Sequence, residues 1–146
     1  MSQTGLSEFD VTVQKTNIWL NDLMELLQCK DRHRAYFALR TVLHALRDHL
    51  TVDMAADLGA QLPMLVRGFY YEGWRPSCTP SKERTRDQFL AHITNEFNDV
   101  RVDSEEVVWA VLSLLNKRLS EGEVSSIQHC LPSDLRTLWP AMARAT

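Results

Sequence analysis

The chain has 146 residues, about one domain's length, and is 45% apolar and 24% charged; this balance excludes a disordered chain and allows a real core without disulfide or metal support. Sixteen basic against 19 acidic residues give a formal charge of -3, so no overall positive field draws the protein to nucleic acid or to an anionic membrane. Five Gly and five Pro are too few turn residues for a many-stranded sandwich or barrel.

The opening segment, Met1 to Glu8, has neither a basic start nor an apolar run, so no secretory signal is expected there. Nor does any stretch approach the ~20 apolar residues of a membrane span. The first predicted helix carries Val13, Thr16, Leu20, Leu23, Met24 and Leu27 at helical spacing. A second stripe follows in Ala35, Leu39, Val42, Leu43, Leu46 and Leu50. Thr51 then caps a short helix with Ala55, Leu58 and Leu62, and Pro63 opens a fourth through Tyr71, in a first turn where its missing N–H does no harm.

The chain's one Gly/Pro cluster, Glu72 to Ser81, reads as a surface connection. Beyond it the spacing predicts helices over Lys82–Asn98, Ser104–Leu119, Glu121–Cys130 and Pro132–Met142. Asp103 and Ser120 are each followed three residues later by Glu, a start signal for two of them. No alternating strand pattern of useful length occurs. Cys29, Cys78 and Cys130 are odd in number and widely separated; they match neither a zinc site nor a redox pair, and point to reduced thiols in a cytoplasm.

The two halves resemble each other. Shifted by 69 positions, Val42, Leu43, Leu46 and Leu50 fall on Val111, Leu112, Leu115 and Leu119, Leu62-Pro63 on Leu131-Pro132, and Arg67 on Arg136. Upstream, an offset of 70 aligns Leu20, Leu23 and Leu27 with Leu90, Ile93 and Phe97. A one-residue slip between the first two helices is the kind of change a loop absorbs. The expected architecture is all-α: two tandem, related units of about four helices each, residues 1–76 and 77–146, packed as one body.

Two segments carry a family resemblance: Asp31 to Leu50, and Ala60-Gln-Leu-Pro-Met-Leu-Val-Arg-Gly-Phe-Tyr-Tyr-Glu-Gly-Trp74. Together they resemble the prokaryotic family catalogued as domain of unknown function 2267. The second unit keeps a worn copy of the motif, Leu131 to Pro140, without the Tyr-Tyr-Glu-Gly stretch. The resemblance implies a small helical bacterial protein and implies no reaction.

The densest chemistry lies in Arg67-Gly-Phe-Tyr-Tyr-Glu-Gly-Trp74. Arg67, Tyr70, Tyr71, Glu72 and Trp74 form either a recognition patch, since Tyr, Trp and Arg dominate binding hot spots, or an anchor for the connection and the second unit, with Gly73 closing the helix. Arg67 and Arg136 suit a forked contact to phosphate or carboxylate, and equally a helix cap or an ion pair. His44 and Asp48 share a helical face beside His49, too few ligands for a metal. No GxSxG, Walker, GxGxxG or HExxH motif occurs, so neither a catalytic set nor a cofactor is expected.

Residues 51–70 fit a degenerate helix-turn-helix, but its second helix carries a single cation, which argues against DNA. The residues therefore point to a non-enzymatic cytoplasmic protein that binds a protein partner through the 67–74 surface. The alternative is a small-ligand carrier or sensor with a pocket between the units, where Arg67 and Arg136 would converge. Self-association through the aromatic surface fits the same residues.

Overall fold

Short polar side chains mark where the helices begin. Asp31 Oδ1 accepts from His33 N and Arg34 N, Thr51 Oγ1 from Met54 N, Asp103 Oδ1 from Glu106 N and Ser120 Oγ from Glu123 N. Each satisfies amides that have no partner within their own helix. The computed structural model describes residues 3–99 and 102–141. Among these, the chain forms eight α-helices and no strand: α1 (Ser7–Leu27), α2 (Arg32–Asp48), α3 (Val52–Ala60), α4 (Met64–Tyr71), α5 (Arg86–Phe97), α6 (Ser104–Arg118), α7 (Glu121–Cys130) and α8 (Ser133–Arg136). None of them is long and apolar enough to cross a membrane.

α2 and α6 occupy the centre. α2 packs against α1, α4, α5 and α6, and α6 against α1, α2, α5 and α7. Their burial shows it: Ala35, Ala38, Leu39, Val42, Leu43, Ala45 and Leu46 are covered on α2, as are Val108, Ala110, Val111, Leu112, Leu114 and Leu115 on α6. A helix that meets neighbours on several sides must be apolar beyond one stripe. α1 is held to α6 by Asp22, which pairs with Arg118 and, at 3.4 Å, with Lys117.

Backbone landmarks recur at the offsets seen in the sequence. α1 and α5 end on left-handed residues, Gln28 (φ 54°) and Asn98 (φ 52°). Thr51 and Ser120 cap α3 and α7, while Pro63 and Pro132 precede α4 and α8 with nearly equal dihedrals, φ -55° and ψ 147° against φ -54° and ψ 146°. Arg47 and Asn116, also 69 apart, each hold carbonyls at the far end of their unit's fourth element: Tyr70 O and Glu72 O for one, Pro140 O for the other.

Three boundaries differ from the sequence reading. α1 begins six residues earlier than Val13, at Ser7. α5 begins at Arg86 rather than Lys82, because Thr85 and Gln88 form a reciprocal capping box that fixes the start. The last helix is one turn, Ser133–Arg136, instead of running on to Met142, which lies outside the described residues. Pro140 disfavours helical backbone at Trp139. Trp139 Nε1 instead donates to Asn116 Oδ1 at 2.7 Å.

The connection holds one 3₁₀ turn, Pro76–Cys78, inside which the expected 76/77 boundary falls. Ser81 N donates to Asp48 O at 2.7 Å and ties the connection to the end of α2.

Candidate functional site

The motif segment divides by face. Arg67, Tyr70 and Tyr71 turn toward the body of the first unit, whereas Gly68, Phe69 and Glu72 border a groove. Arg67 folds back on α3: its Nε donates to Gly59 O at 2.9 Å and its Nη2 to Leu62 O at 3.0 Å. Gly59 O lies in the last turn of α3 and Leu62 O just beyond it, so the guanidinium there acts as a C-terminal cap. Arg136 does the same one unit later, with Nε 3.2 Å from Leu131 O.

Tyr70 is fully buried and donates to Ala55 O at 2.6 Å, and burial pushes its phenol well above the ordinary tyrosine range. Tyr71 lies over Gly59, where an added Cβ would come within 2.3 Å of the tyrosine hydroxyl. Trp74 stacks on Tyr71 with ring centroids 5.4 Å apart, and Glu72 is exposed, 3.9 Å from Arg40. Gly73, at φ 74°, takes the left-handed conformation that turns the chain away from α4.

The sequence reading passed over Arg47, which is 3% exposed. Its Nη1 donates to Tyr70 O at 2.7 Å and to Glu72 O at 3.0 Å, and its Nε to Asp48 Oδ1 at 2.9 Å. Arg47 is thus the post that holds the end of α4, while Arg67 ties its start to α3.

The histidines are likewise committed to carbonyls. His44 Nε2 donates to Phe69 O at 2.6 Å, and His49 Nδ1 to Ala45 O at 2.7 Å. Among the described residues, no three His, Cys, Asp or Glu side chains converge as metal ligands. Burial holds the His44 pKa below its usual 6.5, outweighing the Phe69 carbonyl, with Arg47 and Arg40 adding to the depression.

Because the unfolded chain then binds more protons than the native one just below pH 6.5, this contribution is intact above 6.5 and is lost as pH falls toward the native value. Thermal melts of the wild type should therefore drop further between about pH 7.5 and 5 than those of His44→Gln, which can keep a donor but does not titrate.

A cavity of about 880 Å³ is a groove walled by α1, α2 and α4. α1 supplies Phe9, Val13, Thr16 and Leu20; α2 supplies Arg32, His33 and Tyr36; α4 supplies Met64, Leu65, Gly68 and Phe69. The Tyr36 and Phe69 rings meet edge to face at 5.2 Å. Thr12 Oγ1 accepts from Leu65 N at 2.9 Å and sets the spacing of α1 and α4. Phe9, Met64 and Leu65 are 50%, 47% and 47% exposed along its lips.

This groove does not lie between the two halves of the chain. All of its walls belong to residues 9–72, within the first unit, because α4 stands off α1 and leaves Gly68 with no side chain to fill the gap. Four smaller clefts do border residues of both halves: one of about 510 Å³ includes His49, Arg75 and His92, one of about 480 Å³ includes Arg67 and Arg118, one of about 360 Å³ includes His44, Glu72 and His92, and one of about 350 Å³ includes Asp22 and Lys117. Arg67 and Arg136 do not meet at any of these.

The helix-turn-helix reading loses its cation in the same way: Arg67 is turned to α3 carbonyls, and the outer face of α4 presents Met64 and Leu65. Of the groove residues, Gly68, Phe69 and Glu72 lay within the segment that sequence singled out. Phe9 and Tyr36 did not, and only α1's buried Thr12 and Thr16 hint that this helix carries more than a core stripe.

The family model for an uncharacterized conserved protein, DUF2267, matches residues 16–138, as the motif segments imply. No curated protein matches the chain.

Proposed function

We propose that this chain, which belongs to the DUF2267 family, is a non-enzymatic binding protein and that its site is the groove between α1, α2 and α4. The groove's apolar walls, left open with exposed Phe9, Met64 and Leu65 at the lips, carry the reading. Exposed apolar surface gathered around a concavity marks a place where something else completes the packing. Its volume falls in the range of about 300–1,000 Å³ that single small ligands occupy.

The 67–74 segment serves this site indirectly. Tyr70, Arg67 and Arg47 fix α4, and α4 presents Gly68 and Phe69 to the occupant. Cys29, Cys78 and Cys130 are unpaired, which suits a reducing cytoplasm.

Gly68 provides the test. A Cβ there would meet nothing within 4 Å and the backbone is ordinary helix, so Gly68→Trp can fill the groove without disturbing the fold. Nile red, a neutral apolar dye, should brighten on the native wild type and not on Gly68→Trp, while the two melt within a few degrees of each other. Equal brightening of both proteins, or none with the wild type, would sink the reading.

The second reading is capture of an amphipathic helix from a protein partner. The lip residues favour it, because three large apolar side chains standing about half exposed offer more contact than a buried small molecule would use.

A further inference from the structure

The two ends of the groove differ in chemistry. Toward the start of α1 and α4 it is bordered by Phe9, Val13, Met64 and Leu65, all apolar. Toward the start of α2 it is bordered by Asn17, Arg32 and His33. Arg32 is tied down on this wall: its Nη1 donates to Asn21 Oδ1 at 2.9 Å and its Nη2 to Asn17 Oδ1. Both acceptors are neutral amides, and Arg32 forms no ion pair among the described residues.

A guanidinium has five N–H donors, so two bonds hold its direction and leave donors and the whole positive charge for something else. The acid on the same lining, Glu72, lies 3.9 Å from Arg40.

We infer that the occupant is a single-chain carboxylate: an alkyl chain lying along Phe9, Val13, Leu65 and Phe69, with its carboxylate at Arg32. This rests on the groove being the binding site and adds the class of ligand. A purely apolar occupant would leave the Arg32 charge unused. A small anion without a chain would leave the apolar end uncovered. A planar carboxylate matches the guanidinium fork, and its hydrogen bonds to a charged donor are the strong kind.

The test is displacement of Nile red by decanoate and by decan-1-ol, which share a chain and differ in charge, using wild type, Arg32→Gln and Gly68→Trp. Decanoate should bind the wild type at least about tenfold more tightly than decanol, because a charge-assisted bond is worth that much or more. Arg32→Gln should erase the difference while decanol affinity stays unchanged, which also shows that this variant folds. Gly68→Trp should bind neither.

Equal binding of the two probes by the wild type overturns the assignment, as does a decanoate preference that survives Arg32→Gln. Nile red binding that neither probe displaces overturns it too, and leaves the groove itself standing as the site. Failure of the dye to bind the wild type instead removes the groove as a site, so the two failures are told apart.

Discussion

Tyr70→Ala should lower the free energy of unfolding by about 3–5 kcal/mol, the usual cost of truncating a buried aromatic. Tyr70 is 0% exposed and fills the space between α4 and α3, against Tyr71 at 4.9 Å between ring centroids. Its hydroxyl is the partner of Ala55 O at 2.6 Å. Alanine would leave a cavity and remove the hydroxyl's bond to Ala55 O. Tyr70→Phe separates the two, and should cost only about 1–2 kcal/mol for the lost bond.

Domains of this size are stable by roughly 5–15 kcal/mol, so Tyr70→Ala should remove a large share of the total while Tyr70→Phe removes little. Urea melts with an unchanged slope would read the difference directly. A Tyr70→Ala protein within 1 kcal/mol of wild type would remove Tyr70 from the anchor and restore it as a surface recognition residue.

Arg47→Met should cost about 3 kcal/mol, nearly all of it at the end of α4. The side chain is 3% exposed and answers Tyr70 O and Glu72 O, at 2.7 and 3.0 Å. Methionine fills much of the volume but leaves both carbonyls without their donor, at about 1–3 kcal/mol for each buried group. Asp48 also loses its 2.9 Å partner, though that carboxylate is exposed enough for water to replace it. Arg47→Lys should recover less than half, since one ammonium on a flexible stem cannot reproduce a fork that reaches two carbonyls and a carboxylate.

Amide exchange locates the effect. Protection should fall over Phe69 to Trp74 first and leave α6 and α7 as before. Loss of protection spread evenly over the chain would contradict a role confined to holding α4. The same measurement on Asn116→Ala, at the position 69 residues on, should show its loss at the amides of Leu138 and Trp139, beside the Trp139 indole and Pro140 carbonyl that Asn116 holds.

Much of the fold could be read from local signals. Capping side chains at Thr51, Asp103 and Ser120 act on amides two or three residues away, so the letters alone locate those helix starts. Pro63 and Pro132 mark the start of α4 and α8 for an equally local reason. The left-handed end at Gln28 was not legible, because Gln is an uncommon residue there, whereas Asn98 is where the spacing already ended its helix. α8 stopped short of the expected Met142, with Pro140 disfavouring helical backbone at Trp139.

The candidate site was legible in part. Arg67 and Arg136 were seen as a repeated pair, and helix capping stood among their readings. Arg47 was not seen, since an arginine flanked by Asp48 on a helix looks like a solvated charge. Its burial follows from carbonyls 23 and 25 positions away. A pocket was expected between the units; smaller clefts do border both halves, and the apolar groove, lined by residues 9–72, was not foreseen.

What the amino-acid sequence determined by itself is therefore the all-helical class, most of the helices, and the repeated Leu-Pro…Arg landmarks, because periodicity and capping act over a single turn. Only the tertiary structure decided which face of Arg67–Trp74 is turned inward, which arginine is buried, and where the chain leaves its apolar surface open. Those outcomes depend on how far α4 stands from α1 and α2, and that spacing is set by contacts such as Thr12 with Leu65, His44 with Phe69 and Arg47 with Tyr70, each joining residues 23 or more positions apart.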